Sequence, residues 1–132
     1  MSNEATGVRG VLFAKDLDRV AAFYIEALGL TRESHDQDHA VLTTHGFELI
    51  VHRIPPHIAS GIHIEQPPVR RDSGSLRLDY PVASIEEARR LARELGGDID
   101  EAPPQWASPD ANFFLGFDPE GNVFGISQTK KS

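Results

Sequence analysis

The order of strand, helix cap, helix and glycine stop is the feature that most restricts the fold of this chain, because it occurs twice. The first copy begins with β-forming residues at 7–14. Asp16 follows, and its carboxylate can accept a hydrogen bond from a free backbone N–H of a helix predicted over 17–28. Gly29 suits the left-handed backbone position just beyond a helix end. This half therefore predicts one strand followed by one helix.

The second copy lies in the C-terminal half of the chain. A strand is predicted over 76–82, and Ser84 with Glu87 three residues later forms a capping box. The apolar residues that follow have helical spacing, and Gly96 with Gly97 ends the segment. The chain is therefore predicted to contain two copies of one supersecondary unit.

Each predicted helix is followed by three segments that we expect to be strands. These segments lie at 30–34, 40–44, 47–53, 98–101, 112–117 and 122–128. The His45-Gly46 pair is a favourable two-residue turn for the first hairpin. The Asp118–Gly121 segment supplies Pro and Gly for a turn in the second hairpin. Each half is therefore predicted to be a β-α-β-β-β module.

The two modules are predicted to form a single domain over 7–128. Module one spans 7–53, module two spans 75–128, and the proline-rich segment 54–74 is a linker. We expect a short edge strand at 61–66 and treat the linker as a candidate lid or dimer contact. One helix and a few strands do not make an independent core, so the modules must pack together. The predicted fold is α+β: one cupped, partly open mixed sheet with both helices on its outer face.

Composition and charge exclude several classes of function. The chain contains no cysteine, which removes disulfides, thiolate metal sites and thiol nucleophiles. A formal net charge of −7 argues against nonspecific nucleic-acid binding, because phosphate contacts need a basic surface. No apolar run approaches the roughly 20 residues that cross a bilayer, and Ser2, Asn3 and Glu4 replace the basic start of a signal peptide. We therefore expect a cytoplasmic protein with no membrane partner.

Motifs at opposite ends of the predicted domain resemble one known family. The segment Val11–Arg19, together with Phe23-Tyr24 and Leu28–Leu30, is similar to the opening signature of the vicinal oxygen chelate family. This family includes glyoxalases, bleomycin resistance proteins and ring-cleaving extradiol dioxygenases. The Asp118–Asn122 segment is similar to the turn before the family's last strand. The resemblance implies paired βαβββ modules that form a U-shaped cleft, which is often completed in a homodimer.

The resemblance also implies a divalent metal in the cleft, and this chain departs from the family's ligand pattern. In the family's enzymes, His, Gln or Glu side chains from the first and last strands of each module hold a metal that acts as a Lewis acid. The corresponding positions here are Arg9, Arg77 and Gly125, with Glu48 or His52 as candidates for the fourth. Arginine has no acceptor for a cation, and glycine has no side chain. One ligand does not hold a catalytic metal, so no metal or other cofactor is predicted.

Arg9 and Arg77 occupy equivalent positions in the two modules. If both point into the cleft, their guanidinium groups suit a carboxylate or phosphate of a small ligand. The alternative is that they pair with internal acids such as Glu48 or Asp79 and serve the structure, because buried charges need partners.

Aromatic residues and histidines supply the remaining candidates. Trp106 could line the mouth of the cleft, and Phe13 and Phe113 its walls, although each could equally belong to the core. His52 is a candidate general base. The 35–39 segment has the composition of a metal site, but nothing indicates the helix that would place both of its histidines on one side. A solvated loop is predicted there instead.

Three functional hypotheses are consistent with these patterns. The first is a metal-independent small-molecule binding protein, in the manner of drug-binding resistance members of the family, with the charge of the ligand left open. The second is a lyase, isomerase or dioxygenase with an atypical site. The third is a regulatory or interaction module with a vestigial cleft. The missing metal ligands favour the first, and the question of catalysis stays open. The candidate ligand-binding residues are Arg9, Phe13, Glu48, His52, Arg77, Asp79, Trp106 and Phe113.

Overall fold

The structure is a computed structural model of the chain, and it describes residues 7–108 and 110–128. The residues used above to assess a signal peptide, Ser2, Asn3 and Glu4, lie outside this part. The elements are, in chain order, β1 (Arg9–Ala14), α1 (Leu17–Glu26), β2 (Thr31–His35), β3 (His39–Thr44), β4 (Phe47–Arg53), α2 (Pro56–Ala59), β5 (Leu78–Val82), α3 (Ile85–Glu94), β6 (Asp98–Ile99), β7 (Phe113–Phe117) and β8 (Val123–Gln128).

The strands form two mixed sheets that repeat the same topology. The first sheet has the order β1-β4-β3-β2 and the second has the order β5-β8-β7-β6. In each, the first strand of the module pairs in parallel with the last, and the other pairings are antiparallel. The predicted α+β class with paired βαβββ modules is confirmed. Among the described residues no strand pairing joins the two sheets, so the cupped surface is built from two sheets of four strands.

Both predicted helix caps form. The Asp16 carboxylate accepts a hydrogen bond from the backbone N–H of Arg19 at 3.2 Å, and the Ser84 hydroxyl accepts one from the N–H of Glu87 at 3.2 Å. The Glu87 carboxylate pairs with the Arg90 guanidinium on the exposed surface of α3. This contact lowers the pKa of Glu87.

The linker contains a short helix, α2, in place of the predicted edge strand. Pro56 occupies the first turn of α2, where a missing N–H removes no helical hydrogen bond. The 61–66 segment is a turn followed by irregular backbone, and the expectation of a strand there was wrong. The carbonyl of Ile62 in this segment accepts a hydrogen bond from the Lys15 ammonium group.

Strand β6 is shorter than the predicted 98–101 segment. The guanidinium group of Arg89 in α3 donates to the carbonyl of Ile99 at 3.2 Å and to that of Asp100 at 2.8 Å. These contacts attach the end of β6 to the helix. The regular strand ends at Ile99, although the backbone N–H of Asp100 still donates to the carbonyl of Leu115 at 2.8 Å.

One hydrophobic core is shared by the two modules. Phe23 in α1 and Phe124 in β8 are fully buried, and their ring centroids lie 5.7 Å apart. The neighbouring rings of Tyr24 in α1 and Tyr80 in β5 lie 5.8 Å apart. Burial of one such side chain stabilises a fold by roughly 1.5–3 kcal/mol. Aromatic side chains of module one and module two therefore pack against each other in a single core.

A buried carboxylate also connects the modules. Glu120, in the turn between β7 and β8, is 5% exposed. Its two oxygens accept hydrogen bonds from the backbone N–H groups of Lys15 at 2.9 Å and Asp16 at 2.7 Å. The turn of module two therefore fixes the point where β1 of module one ends and α1 begins.

Among the described residues, no helix has the length and apolar character needed to span a membrane.

Candidate functional site

The strand register decides which side chains of the first sheet face the open side. Leu49 and Val51 of β4 are buried in the core. Glu48 and His52 alternate with them and therefore point to the opposite, open face. The register of β1 against β4 adds three more side chains to that face: Arg9, Val11 and Phe13. The open side of the first sheet thus carries four of the predicted site residues.

Arg9 and Glu48 form an ion pair on this open face. Arg9 Nη2 lies 3.0 Å from Glu48 Oε1, and the side chains are 59% and 38% exposed. The pair corresponds to the alternative in which the arginine binds an internal acid. Its carboxylate is engaged by a guanidinium group, which would also repel a metal ion at the same position.

Arg77 is held by Asp79 in the second module. Arg77 Nε lies 2.7 Å from Asp79 Oδ1, and Nη2 lies 3.0 Å from Oδ2. The guanidinium carbon lies over the rings of Trp106 and Phe113, at 5.3 and 5.2 Å from their centroids. The two rings are themselves 5.7 Å apart. Four predicted site residues therefore form one cluster, in which a bidentate ion pair packs against two aromatic rings.

Gly125 stands where the resemblance places the last metal ligand, and the space above it is filled. A Cβ atom at Gly125 would lie 2.3 Å from Asp79 Oδ1 and 2.7 Å from the ring of Phe113. These contacts are too short for any side chain to be added without displacement of a neighbour.

The residues at the family's metal positions therefore do not fit a divalent cation. Arg9 and Arg77 are cationic, Glu48 is paired with Arg9, and Gly125 is covered by its neighbours. Within residues 7–108 and 110–128, no group of three or more His, Asp or Glu side chains is arranged to hold a metal ion.

A cleft with a volume of about 630 Å³ lies where the two modules meet. Residues 10–12 of β1 form one side, and Leu78 and Tyr80 of β5 form another. Of the predicted site residues, Arg77 and Trp106 line this cleft. The six that do not line it are Arg9, Phe13, Glu48, His52, Asp79 and Phe113.

The end of the linker supplies cleft residues that the sequence did not identify. Arg71, Asp72 and Gly74 line the cleft. The backbone N–H of Arg71 donates to the carbonyl of Gly121 at 2.9 Å, and its side-chain Nε donates to the carbonyl of Glu120 at 3.3 Å. These contacts attach the linker to the turn between β7 and β8. A proline-rich composition indicates a loop but gives no sign of which of its residues return to the site.

Arg71 differs from the other cleft arginine in its electrostatic state. Among the described residues, no carboxylate lies within ion-pair distance of Arg71, whereas Arg77 is neutralised by Asp79. The neighbouring Asp72 is bound by Arg70 at 2.9 Å. The cleft is therefore lined by one arginine, Arg71, whose guanidinium group has no carboxylate partner among the described residues.

The histidines of the 35–39 segment separate from one another. His35 ends β2, and its Nε2 lies 2.9 Å from Asp18 Oδ1 in α1. His39 begins β3 and packs against His52 on the open face, with ring centroids 4.5 Å apart. The predicted solvated loop is reduced to a short turn, because the strands of the hairpin extend further than expected.

The model of the glyoxalase-like domain matches residues 10–127. The chain belongs to the glyoxalase-like domain family. This family lies within the vicinal oxygen chelate superfamily that the motifs indicated. No curated protein matches the chain in sequence.

Solved structures share the fold of this glyoxalase-like domain at low identity. A glyoxalase/bleomycin resistance protein from Albidiferax ferrireducens T118 is 17% identical, with a TM-score of 0.62 over 93% of this chain and 98% of that one. The fosfomycin resistance protein FosX from Listeria monocytogenes is 12% identical, with a TM-score of 0.63 over 100% of this chain and 95% of that one. A glyoxalase-related enzyme from Fulvimarina pelagi is 22% identical, with a TM-score of 0.60 over 92% and 86%. These likenesses show the fold.

Proposed function

We propose that this glyoxalase-like domain binds a small molecule in the cleft between its modules and does so without a metal at the family's usual position. The observation that carries the proposal is a cleft of about 630 Å³ that combines aromatic and apolar walls with Arg71. Pockets for small ligands typically have this size and this mixture of apolar walls with a few polar groups.

The walls of the cleft favour a flat, largely apolar ligand. Trp106 is 65% exposed and Leu76 is 77% exposed, and both line the cleft. Large apolar side chains that remain open to solvent beside a cleft gain free energy when a ligand covers them. The indole ring of Trp106 offers a stacking surface for an aromatic group.

The charge of the cleft favours a ligand with an acceptor or anionic group. The Arg71 guanidinium has no carboxylate partner among the described residues, and Asp79 already neutralises Arg77. A carboxylate or phosphate can accept two parallel hydrogen bonds from a guanidinium group. We therefore propose an aromatic acid as the ligand class. The sequence alone left the charge of the ligand undecided, and this proposal assigns a negative charge.

The biological role that we propose is sequestration, of the kind that confers resistance to a small toxic compound. Structures with this fold include a glyoxalase/bleomycin resistance protein, a fosfomycin resistance protein and a glyoxalase-related enzyme. The alternative of a lyase, isomerase or dioxygenase has less support, because Glu48 is engaged by Arg9 and His52 lies outside the cleft.

We propose, in addition, a homodimer in the cytoplasm. Two apolar side chains of the N-terminal segment are exposed outside the cleft, namely Val8 at 76% and Phe13 at 60%. A second copy of the chain would cover such a surface. Sedimentation velocity tests this part: a native dimer that becomes monomeric in Phe13→Lys supports it, and a native monomer contradicts it.

Calorimetric titration tests the binding proposal. The probes are aromatic carboxylates, aromatic phosphates, aromatic amines and neutral aromatics, each titrated into the full chain. We expect the carboxylates or phosphates to bind, and we expect Trp106→Ala and Arg71→Gln each to weaken binding about 10-fold or more. Arg32→Gln is the matched control, because Arg32 is exposed on β2 and does not line the cleft. Absence of binding by every class, or equal affinity in all variants, contradicts the proposal.

A further inference from the structure

A cross-strand pair of histidines lies on the open face of the first sheet, outside the cleft. His39 in β3 and His52 in β4 face each other in the hairpin register. The backbone N–H of Arg53 donates to the carbonyl of Asp38 at 2.8 Å. The next pair along, His39 and His52, therefore occupies a non-hydrogen-bonded position, where facing Cα atoms are about 4.5 Å apart. The two rings are nearly perpendicular, at 83°, with centroids 4.5 Å apart.

The ring nitrogen Nδ1 of each histidine is engaged by an oxygen acceptor. His52 Nδ1 lies 2.9 Å from the carbonyl oxygen of Arg53. His39 Nδ1 lies 3.3 Å from Asp36 Oδ1. The same Asp36 oxygen also accepts hydrogen bonds from the backbone N–H groups of Asp38 and His39, each at 2.8 Å, so it acts as an acceptor. Since both oxygens accept, Nδ1 carries the hydrogen in each neutral ring and the lone pair lies on Nε2.

This arrangement matches the surroundings of metal-binding histidines. Such residues usually donate the second ring N–H to a carboxylate or a backbone carbonyl, which fixes the tautomer and orients the ring. Here Asp36 serves His39 and the Arg53 carbonyl serves His52. Among the described residues, Nε2 of neither ring has a hydrogen-bond partner. The ring of Phe13, 5.5 Å from that of His52, restricts the movement of His52 on its other side.

We propose that His39 and His52 form a two-imidazole site for a divalent transition metal of the Ni²⁺, Cu²⁺ or Zn²⁺ class. Neutral imidazole suits these ions, and the cross-strand position brings the two rings close enough to share one. No third His, Asp or Glu side chain joins the pair among the described residues, so water or a bound molecule fills the remaining coordination positions. This site departs from the expectation that the chain holds no metal.

The pair lies outside the proposed ligand cleft and differs from the family's metal position in its residues. His52 is one of the two candidates for the family's ligand on β4, but the other candidate, Glu48, is paired with Arg9. His39 on β3 is at no position of the family's ligand pattern. Neither His39 nor His52 lines the cleft. A failure of ligand binding in the cleft and a failure of metal binding at the histidine pair are therefore distinguishable.

Titration of the untagged, full-length chain with Ni²⁺ tests the proposal. The variants are His39→Phe and His52→Phe, which keep an aromatic ring and β propensity but remove the nitrogen ligands. His63→Phe is the matched control, because the His63 side chain is 82% exposed in the linker and has no part in the pair. Removal of a group that hydrogen-bonds a metal ligand typically weakens metal binding 10–100-fold. Removal of the ligand itself should therefore weaken binding at least 10-fold.

The expected result is one Ni²⁺ per native chain, an affinity at least 10-fold lower in either single variant, and no change in His63→Phe. The double variant should bind Ni²⁺ no more tightly than either single variant, because each single change already removes the chelate and the double change removes both nitrogen ligands. Asp36→Asn keeps both rings and the turn, and it should weaken binding while circular dichroism stays native. Unchanged affinity in His39→Phe and His52→Phe, or an equal loss in His63→Phe, overturns the proposal. So does a Zn²⁺ titration in which the Nε2 nuclear magnetic resonances of His39 and His52 do not move.

Discussion

The hydroxyl group of Tyr24 donates a hydrogen bond to Asp118 Oδ2 at 2.8 Å and so links the first helix to the last turn of the chain. Asp118 is fully buried. It also accepts hydrogen bonds from the backbone N–H groups of Glu120 and Asn122 and from the Asn122 side chain. Burial raises the pKa of Asp118, and these hydrogen bonds oppose that shift. The aspartate of the family-like turn thus joins module two to module one through Tyr24.

Replacement of Tyr24 by Phe should destabilise the fold by about 1.5–3 kcal/mol, the usual value of a hydrogen bond to a charged group. The ring stays in the core, so the loss reports the missing hydroxyl. Tyr80→Phe is the control, since Tyr80 is also buried but its hydroxyl has no hydrogen bond to the described residues. Urea unfolding measures both. Equal free energies of unfolding for Tyr24→Phe and the native chain would falsify the structural role of this contact.

The stability of the fold should decrease at alkaline pH because of the same two tyrosines. Burial raises the pKa of Tyr24 well above its ordinary value, and the charge of Asp118 adds to the shift. Burial likewise raises the pKa of Tyr80. A raised folded pKa means that the unfolded chain releases these protons first. The stabilisation is therefore complete below about pH 10, the pKa of an unfolded tyrosine, and decreases as pH rises above it.

Ultraviolet titration of tyrosinate absorbance checks this expectation directly. These are the only two tyrosines in the sequence, so the native protein should show no ionisation at the ordinary tyrosine pKa. Absorbance and circular dichroism should change together at higher pH, and Tyr24→Phe should be less sensitive to pH in that range. A tyrosinate signal that develops near pH 10 in the folded protein would contradict the burial of these groups.

Glu120→Gln should destabilise the fold by about 1–3 kcal/mol. The buried carboxylate accepts hydrogen bonds from the N–H groups of Lys15 and Asp16, one on each oxygen. An amide keeps one acceptor but turns N–H donors towards the second backbone N–H, which leaves that group without a partner. Glu94→Gln is the matched control, because Glu94 is exposed and pairs with Arg90 on the surface of α3. Thermal unfolding of both variants measures the difference. Equal unfolding midpoints for Glu120→Gln and Glu94→Gln would contradict the stabilising role of the Glu120 hydrogen bonds.

Local patterns were sufficient to predict the modules, the caps and the hairpins. Asp16 and Ser84 each cap the helix that follows, because capping depends on residues only three positions apart. The His45-Gly46 turn forms with positive φ at both residues, 46° and 81°. That two-residue turn fixes the register of the hairpin and so places His39 opposite His52. The sequence therefore contained enough information to predict the histidine pair. The composition of the 35–39 segment instead suggested His35 as the partner of His39.

The site itself depended on contacts between distant segments. Arg71 reaches the cleft because its backbone binds Gly121, fifty positions further along the chain. Nothing in the composition of the linker specifies that contact. The pairing of Arg77 with Asp79 was one of two alternatives open from the sequence, and only the strand geometry placed Trp106 and Phe113 against it. Whether the eight predicted residues bind a ligand stays a prediction.

Gly125→Ala should destabilise the fold by about 1–3 kcal/mol, the usual range for overpacking. The new methyl group would meet Asp79 Oδ1 at 2.3 Å and the Phe113 ring at 2.7 Å, so the ion pair or the ring must move. Gly74→Ala is the control, because its nearest contact is an ordinary 3.5 Å to a backbone oxygen.

A double-mutant cycle shows whether the Asp79 side chain is the cause. In an Asp79→Ala background the closest contact of the new methyl group is gone, and only the Phe113 contact remains. The effect of Gly125→Ala on the free energy of unfolding should therefore be smaller there, with a coupling energy of about 0.5–3 kcal/mol. Additive effects of the two substitutions would show that the carboxylate does not occupy the space above Gly125. The last-strand position could then accept a larger residue, and only the missing side chain of Gly125 would keep it from being a metal ligand.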